Sequence, residues 1–236
     1  MRTLEILVPA LTLLLTGPIF AQDTPYKFRG IGLGDSPEHV QKAMPEQFPF
    51  VRAMDKTLKD LWSMHAGDRE GISRDRCPIA AKGSLRGDCL KAMVVLRLVD
   101  DRIQVLQITA DQSFGMPVAL PAFLERLTST YGKPDAVYLT GQDVHRDGLT
   151  ERTYAWGGKT LPAKDFKMAF ATYLDAERIG GQYVAMRVVL NGDAVIGYQL
   201  RIADAEKSIQ LHREWQAEQK AKASSSGTAA PQSLKF

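Results

Sequence analysis

Two cysteines and four histidines in 236 residues leave little material for metal or redox chemistry. Cys77 and Cys89 lack the C-x-x-C spacing of a dithiol centre, and no histidine stands nearby to complete a zinc set. Charge of one sign is missing too. Thirty basic and 27 acidic residues give a net charge of +3, which supplies no electrostatic reason to expect nucleic acid or an acidic membrane as partner. Long apolar runs are also absent. The longest, Ile6-Leu7-Val8 through Leu13-Leu14-Leu15, is interrupted by Pro9 and falls short of the roughly 20 residues of a membrane span.

That run reads instead as a targeting segment. Arg2 gives a weakly positive start, blunted by Glu5. The apolar stretch ends at Gly17-Pro18, and Ile19-Phe20-Ala21 offers the branched-then-small pattern that signal peptidase accepts. Residues 1–21 are expected to be a signal peptide cleaved near Ala21, leaving a soluble periplasmic or secreted protein. No cysteine stands at the cleavage point, so no lipid anchor is expected. In an oxidising compartment, the close pair Cys77 and Cys89 is best read as a disulfide closing the polar loop Pro78 to Asp88.

A hydrophobic content of 44% suffices for a proper core. Tyr26 to Leu33 alternates like a strand and ends in glycines. Ser36 then caps a short helix with Pro37 at its first position; Val40, Ala43 and Met44 share a face, and Pro45 is expected to stop it. Leu120, Phe123, Leu124, Leu127 and Tyr131 form a continuous apolar helix stripe, ended by Gly132 and Pro134. A third helix starts at Asp204, with Leu211 and Trp215 one turn apart. Met93–Val99 and Ile103–Ala110 flank Asp100-Asp101-Arg102 as a hairpin; Tyr183–Leu190 and Val195–Ile202 do so around Asn191-Gly192-Asp193. Further strands are expected near Leu61–His65, Val137–Thr140, Arg152–Trp156 and Met168–Leu174.

A shift of 93 residues lays Ala92-Met93 on Ala185-Met186, Val95 on Val188, Asp100 on Asp193, Ile103 on Ile196 and Ala110-Asp111 on Ala203-Asp204. With a helix before each meander, this suggests two tandem copies of one unit. The expected fold is therefore α+β: an antiparallel meander sheet packed on helices, probed as two helix-then-meander units. The expected boundaries are 22–112 and 113–203 for the units, 204–222 for a C-terminal helix and 223–236 for a disordered tail.

Gly30-Ile31-Gly32-Leu33-Gly34-Asp35-Ser36-Pro37-Glu38-His39-Val40, with Tyr131-Gly132-Lys133-Pro134-Asp135 further on, resembles small bacterial envelope modules. The outer-membrane assembly lipoprotein family BamE and the β-lactamase-inhibitor proteins share this helix-then-meander plan. The resemblance covers about a fifth of the chain, and its motifs are capping chemistry. The lipobox cysteine is missing, and Met44-Pro45 stands where the first glycine stop would be. The resemblance implies a layered module that binds other proteins through its sheet or loops.

Gly34-Asp35-Ser36 also echoes the G-D-S block of SGNH-type esterases. None of His39, His65, His145 and His212 has an aspartate three residues before it, so the partner of that serine is missing. Asp143 and His145 could form half a metal site, without an identifiable third ligand. The remaining candidates are surfaces. Arg74, Arg76, Lys82 and Arg86, within a basic cluster running from Arg69 to Lys91, lie on and beside the stapled loop. Trp156 precedes Gly157-Gly158 at a strand end, where it could face a groove. The function expected is non-enzymatic binding of another envelope protein, with no cofactor, in the manner of an envelope assembly factor or inhibitor; a periplasmic hydrolase and a small-ligand carrier are the alternatives.

Overall fold

The structure, a computed structural model, describes residues 26–58, 60–68, 77, 88–140, 148–158 and 180–225. The segment expected to be a signal peptide, the basic loop, the Asp143/His145 region, the strand expected at 168–174 and the end of the tail lie outside them.

A single antiparallel sheet dominates. Its strands are β3 (Phe50–Val51), β4 (Asp55–Leu58), β5 (Leu61–Gly67), β6 (Cys89–Val99), β7 (Arg102–Ala119), β8 (Ala136–Thr140), β9 (Thr150–Gly157), β10 (Gln182–Asn191) and β11 (Ala194–Asp204). They lie in the order β3-β5-β6-β7-β11-β10-β9-β8, with β4 beside β3 on the outer side of β5. A small separate ribbon, β1 (Lys27–Phe28) and β2 (Ile31–Gly32), precedes them. The fold is thus α+β, built on an antiparallel meander.

Local chemistry sets the turns. Asp100 and Asp101 sit at φ 48° and 61°, the left-handed pair that a two-residue type I′ turn requires, which aspartate tolerates better than most residues. In the second hairpin Asn191 pairs with Ala194, so the turn residues are Gly192 and Asp193, and Gly192 alone has positive φ. Pro117 lacks an N–H, and here β7 loosens from β11: Val195 faces Val118 but Gly197 faces Ser113. Met116 stands out of this bulge, 84% exposed.

Three helices complete the fold: α1 (Pro37–Gln47), α2 (Leu120–Tyr131) and α3 (Ala205–Ser225). Ser36 caps α1 by accepting the His39 N–H. Pro45 does not stop α1. It falls in the last turn, where its missing N–H removes one helical bond, and the chain leaves only after Phe48 N donates to Met44 O. Ala119 gives α2 no side-chain cap; the carbonyl of Asp193 accepts from Leu120 N instead. The α2 exit is as the sequence reads, with Gly132 at φ 81°. Asp204 opens α3, its carboxylate accepting from Lys207 N at 2.9 Å. This helix runs through 223–225, where a disordered tail is expected. The Leu211 and Trp215 side chains lie outside the described ones.

One hydrophobic cluster spans the sheet. Val40, Ala43 and Met44 of α1 and Leu120, Phe123 and Leu127 of α2 meet Leu90, Val94 and Leu96 of β6, Ile108 of β7, Leu200 and Ile202 of β11, and Val184, Met186 and Val188 of β10. Both helices therefore cover the same face. Twelve residues of α2 would be a marginal helix alone. Burial of its three core side chains contributes roughly 5–8 kcal/mol as an upper bound. Phe123 also joins Phe114 and Tyr198 in an aromatic trio, with centroids 5.8 to 6.2 Å apart. The unit boundary at 112/113 falls inside β7, and β7 pairs with β11 across the two halves.

Candidate functional site

The residues singled out for chemistry prove to hold the fold together. Ser36 Oγ is committed to the backbone N–H of His39. The His39 ring lies 3.4 Å from Asp35 and 3.2 Å from the carbonyl of Gly30, on the surface. Asp35 in turn accepts from Gly32 N at 2.7 Å, and its backbone carbonyl accepts from Val105 N at 2.9 Å. The histidine ring approaches the carboxylate, while the serine faces backbone, so these three residues tie the β1–β2 ribbon to α1 and β7 without forming a nucleophile–base pair. Among the described residues, no group of three or more His, Cys, Asp or Glu side chains could hold a metal ion.

Trp156 belongs to the core, which corrects its placement on a binding groove. It is 2% exposed, its ring packs on Tyr131 with centroids 5.5 Å apart, and its Nε1 donates to Gly132 O at 2.9 Å. Gly157, which ends β9 at φ 71°, lies against the neighbouring strand: a Cβ on it would come within 2.5 Å of Gln182 O. Burial pushes the phenol of Tyr131 up from its ordinary range, with the neighbouring Tyr198 adding to the shift.

Cys77 and Cys89 are joined in a disulfide, with Cα atoms 5.8 Å apart and Cys77 buried. Arg74, Arg76, Lys82 and Arg86 lie outside the described residues. Lys91, grouped with them in sequence, is buried within the sheet.

Lys91 leads to a feature that the sequence reading missed. On the face opposite α1 and α2, cross-strand register sets Lys91 beside Asp111, Asp111 beside Gln199, Gln199 beside Arg187, Arg187 beside Thr153 and Thr153 beside Tyr138. A polar row thus crosses six strands. Arg187 donates to Gln199 Oε1 and approaches Glu151 at 3.8 Å. Lys91, Glu151, Thr153 and Gln199 are all buried. Buried charges are tolerable only with partners, and here each ionisable member has one. A one-residue slip of any strand would break the row, so it favours one register. The signal was legible as single charges inside apolar strands, such as Arg187 in Met186-Arg187-Val188.

A second feature lies at the sheet margin. β8 pairs with β9 and is the outermost of the described strands on that side. Val137 is 51% and Leu139 75% exposed, both on the face that carries α2. The opposite margin carries only the two-residue β3 and the four-residue β4, the latter with a register shift and with Asp55 and Lys56 exposed. Short, irregular and charged edges resist pairing with other chains; β8 has none of these defences.

A shallow cavity of about 210 Å³ lies between the β6–β7 turn and α3, lined by Leu98, Val99, Asp100, Asp101, Lys207, Gln210 and Glu214. A carrier of apolar ligands would need a larger apolar pocket between helix and sheet. Among the described residues no helix is long and apolar enough to cross a membrane. No family model, curated protein or solved structure matches the chain.

Proposed function

We propose that the protein is exported and acts in the envelope as a non-enzymatic module that binds another protein, as an assembly factor or inhibitor would. The observation that carries this reading is the apolar margin β8, where Val137 and Leu139 lie open beside backbone that pairs with no other described strand. The Cys77–Cys89 disulfide supports an oxidising compartment, consistent with a cleaved signal at 1–21. The plan shared with the BamE and β-lactamase-inhibitor families fits the same reading. So does tandem duplication: helix, then meander, occurs as α1 with β5–β7 and again as α2 with β9–β11. In both hairpins the second strand carries one extra residue against the first.

The test is a photo-reactive residue placed at Leu139, or at exposed Glu125 of α2 as control, in the native host. The expected result is a discrete adduct with another polypeptide from Leu139 alone, in the envelope fraction, with both cysteines resistant to thiol labelling. Reduced cysteines in a cytosolic full-length chain would overturn export. Ester hydrolysis lost in Ser36→Ala, with folding intact, would overturn the non-enzymatic reading.

A further inference from the structure

We infer that β8 recruits its partner by strand addition, taking an extended segment that carries apolar residues at alternate positions and acidic residues at its ends. The inference rests on the protein-binding reading above and names the chemistry of the partner. Strand addition follows from the position of β8: among the described residues it pairs with β9 alone, and its other side offers backbone groups to a guest. Alternate apolar positions follow from the pleat. Val137 and Leu139 project to one face, two residues apart, so a guest lying beside them meets them with every second side chain.

The acidic ends follow from charge. Arg152 sits beside Leu139 on the same face, and Lys133 stands exposed just before β8 begins. Among the described residues neither has an acidic partner. Asp135, the acidic residue closest in sequence, is already engaged by Gly157 N at 2.8 Å. A guest with carboxylates at its ends therefore neutralises two cations and covers two apolar side chains at once. A second copy of this chain does less. Its own β8, Ala136-Val137-Tyr138-Leu139-Thr140, brings no acid to Lys133 or Arg152.

The experiment uses the full disulfide-bonded chain and a labelled synthetic peptide of alternating valine and threonine with paired glutamates at each end, read by fluorescence anisotropy. The expected result is saturable binding, weakened more than about tenfold by Leu139→Lys. Replacing the glutamates by lysines should weaken it about fivefold or more, an effect that fades with salt. A peptide N-methylated at alternate residues, with the same side chains, should not bind. Circular dichroism of Leu139→Lys checks that this exposed substitution leaves the fold intact; Arg152→Gln supplies an independent variant that should lower affinity for the glutamate peptide alone.

Binding of the N-methylated peptide as tightly as its parent overturns strand addition, and equal binding of the lysine peptide overturns the acidic ends. Concentration-dependent dimers abolished by Leu139→Lys, with no peptide binding, assign the margin to a second copy and overturn the inference. Failure of every peptide while the Leu139 cross-link to another polypeptide persists sinks strand addition but spares protein binding. Failure of both sinks both.

Discussion

Replacing Trp156 by phenylalanine tests whether this residue is a support for the fold or a surface for ligands. Its side chain is 2% exposed, packs on Tyr131, and donates Nε1–H to Gly132 O at 2.9 Å. Gly132 lies where α2 ends, so the indole satisfies a carbonyl at the helix exit. Phenylalanine keeps an aromatic ring but loses the donor and part of the volume. Loss of the smaller ring leaves a void worth about 1–2 kcal/mol. Loss of the part-buried hydrogen bond to Gly132 O adds about 0.5–1.5 kcal/mol. The expected destabilisation is therefore about 1.5–3.5 kcal/mol, read as a lower urea midpoint by far-ultraviolet circular dichroism with an unchanged slope. A loss under about 0.5 kcal/mol is what a surface position gives, and would refute the core assignment.

Other expectations follow from the same geometry. Cys77→Ser with Cys89→Ser opens a cross-link of sequence separation 12 and should cost about 3 kcal/mol in urea unfolding by chain entropy, whereas an equally stable reduced protein would deny the staple any role. Gly157→Ala pushes a Cβ to 2.5 Å from Gln182 O at φ 71°, while Gly192→Ala, at φ 60°, meets nothing within 4 Å. The first should cost about 2–4 kcal/mol and the second about 1–2, and equal thermal shifts would contradict the contact. Burial raises the Tyr198 phenol to about 12, with Arg29 opposing the shift. Because the folded value exceeds the unfolded value of 10, stability is complete below pH 10 and lost as pH climbs toward 12. Absorbance titration should show the Tyr131 and Tyr198 phenols ionising late, together with unfolding; ionisation of every tyrosine near pH 10 in a folded chain would contradict their burial.

The parts legible in sequence were those written in local chemistry. Asp100-Asp101 and Gly192 announced their turns, Ser36 its cap, and the Leu120–Tyr131 stripe its helix, because each depends on neighbours within a few residues. Pro45 misled because a proline in a final turn removes only one hydrogen bond. Trp156 misled because its position at a strand end is visible in sequence, while the α2 exit that covers it is not. The polar row showed in sequence only as single charges inside apolar strands, and neither its continuity nor the open margin could be read without strand order. Val137 and Leu139 look like ordinary core residues until β8 is known to be last in the sheet.

Strand order also bears on the duplication. The identities found at an offset of 93 residues pair side chains from opposite faces. Ala92 and Ala110 belong to the main core, yet their matches Ala185 and Ala203 lie in the small cluster behind it; Ile103 packs on the main core and its match Ile196 does not. Since side chains alternate along a strand and the core-facing residues of β6 and β10 are both even-numbered, an odd offset inverts the positions of these two strands. An offset one residue shorter matches Ala92 with Val184, Val94 with Met186, Leu96 with Val188, Ile108 with Leu200 and Ala110 with Ile202, all facing the two helices. Those matches share apolar character and only that. If the halves descend from one unit, what persisted is the alternation that keeps each meander beneath its helix. The identities at the odd offset then carry no ancestry. A chain in which Ala92 and Ala110 exchange places with the larger Val184 and Ile202 retains the inward pattern and tests it directly: folding with the same far-ultraviolet spectrum is the expected outcome, and collapse of the sheet would show that individual packing, rather than the pattern, distinguishes the two halves.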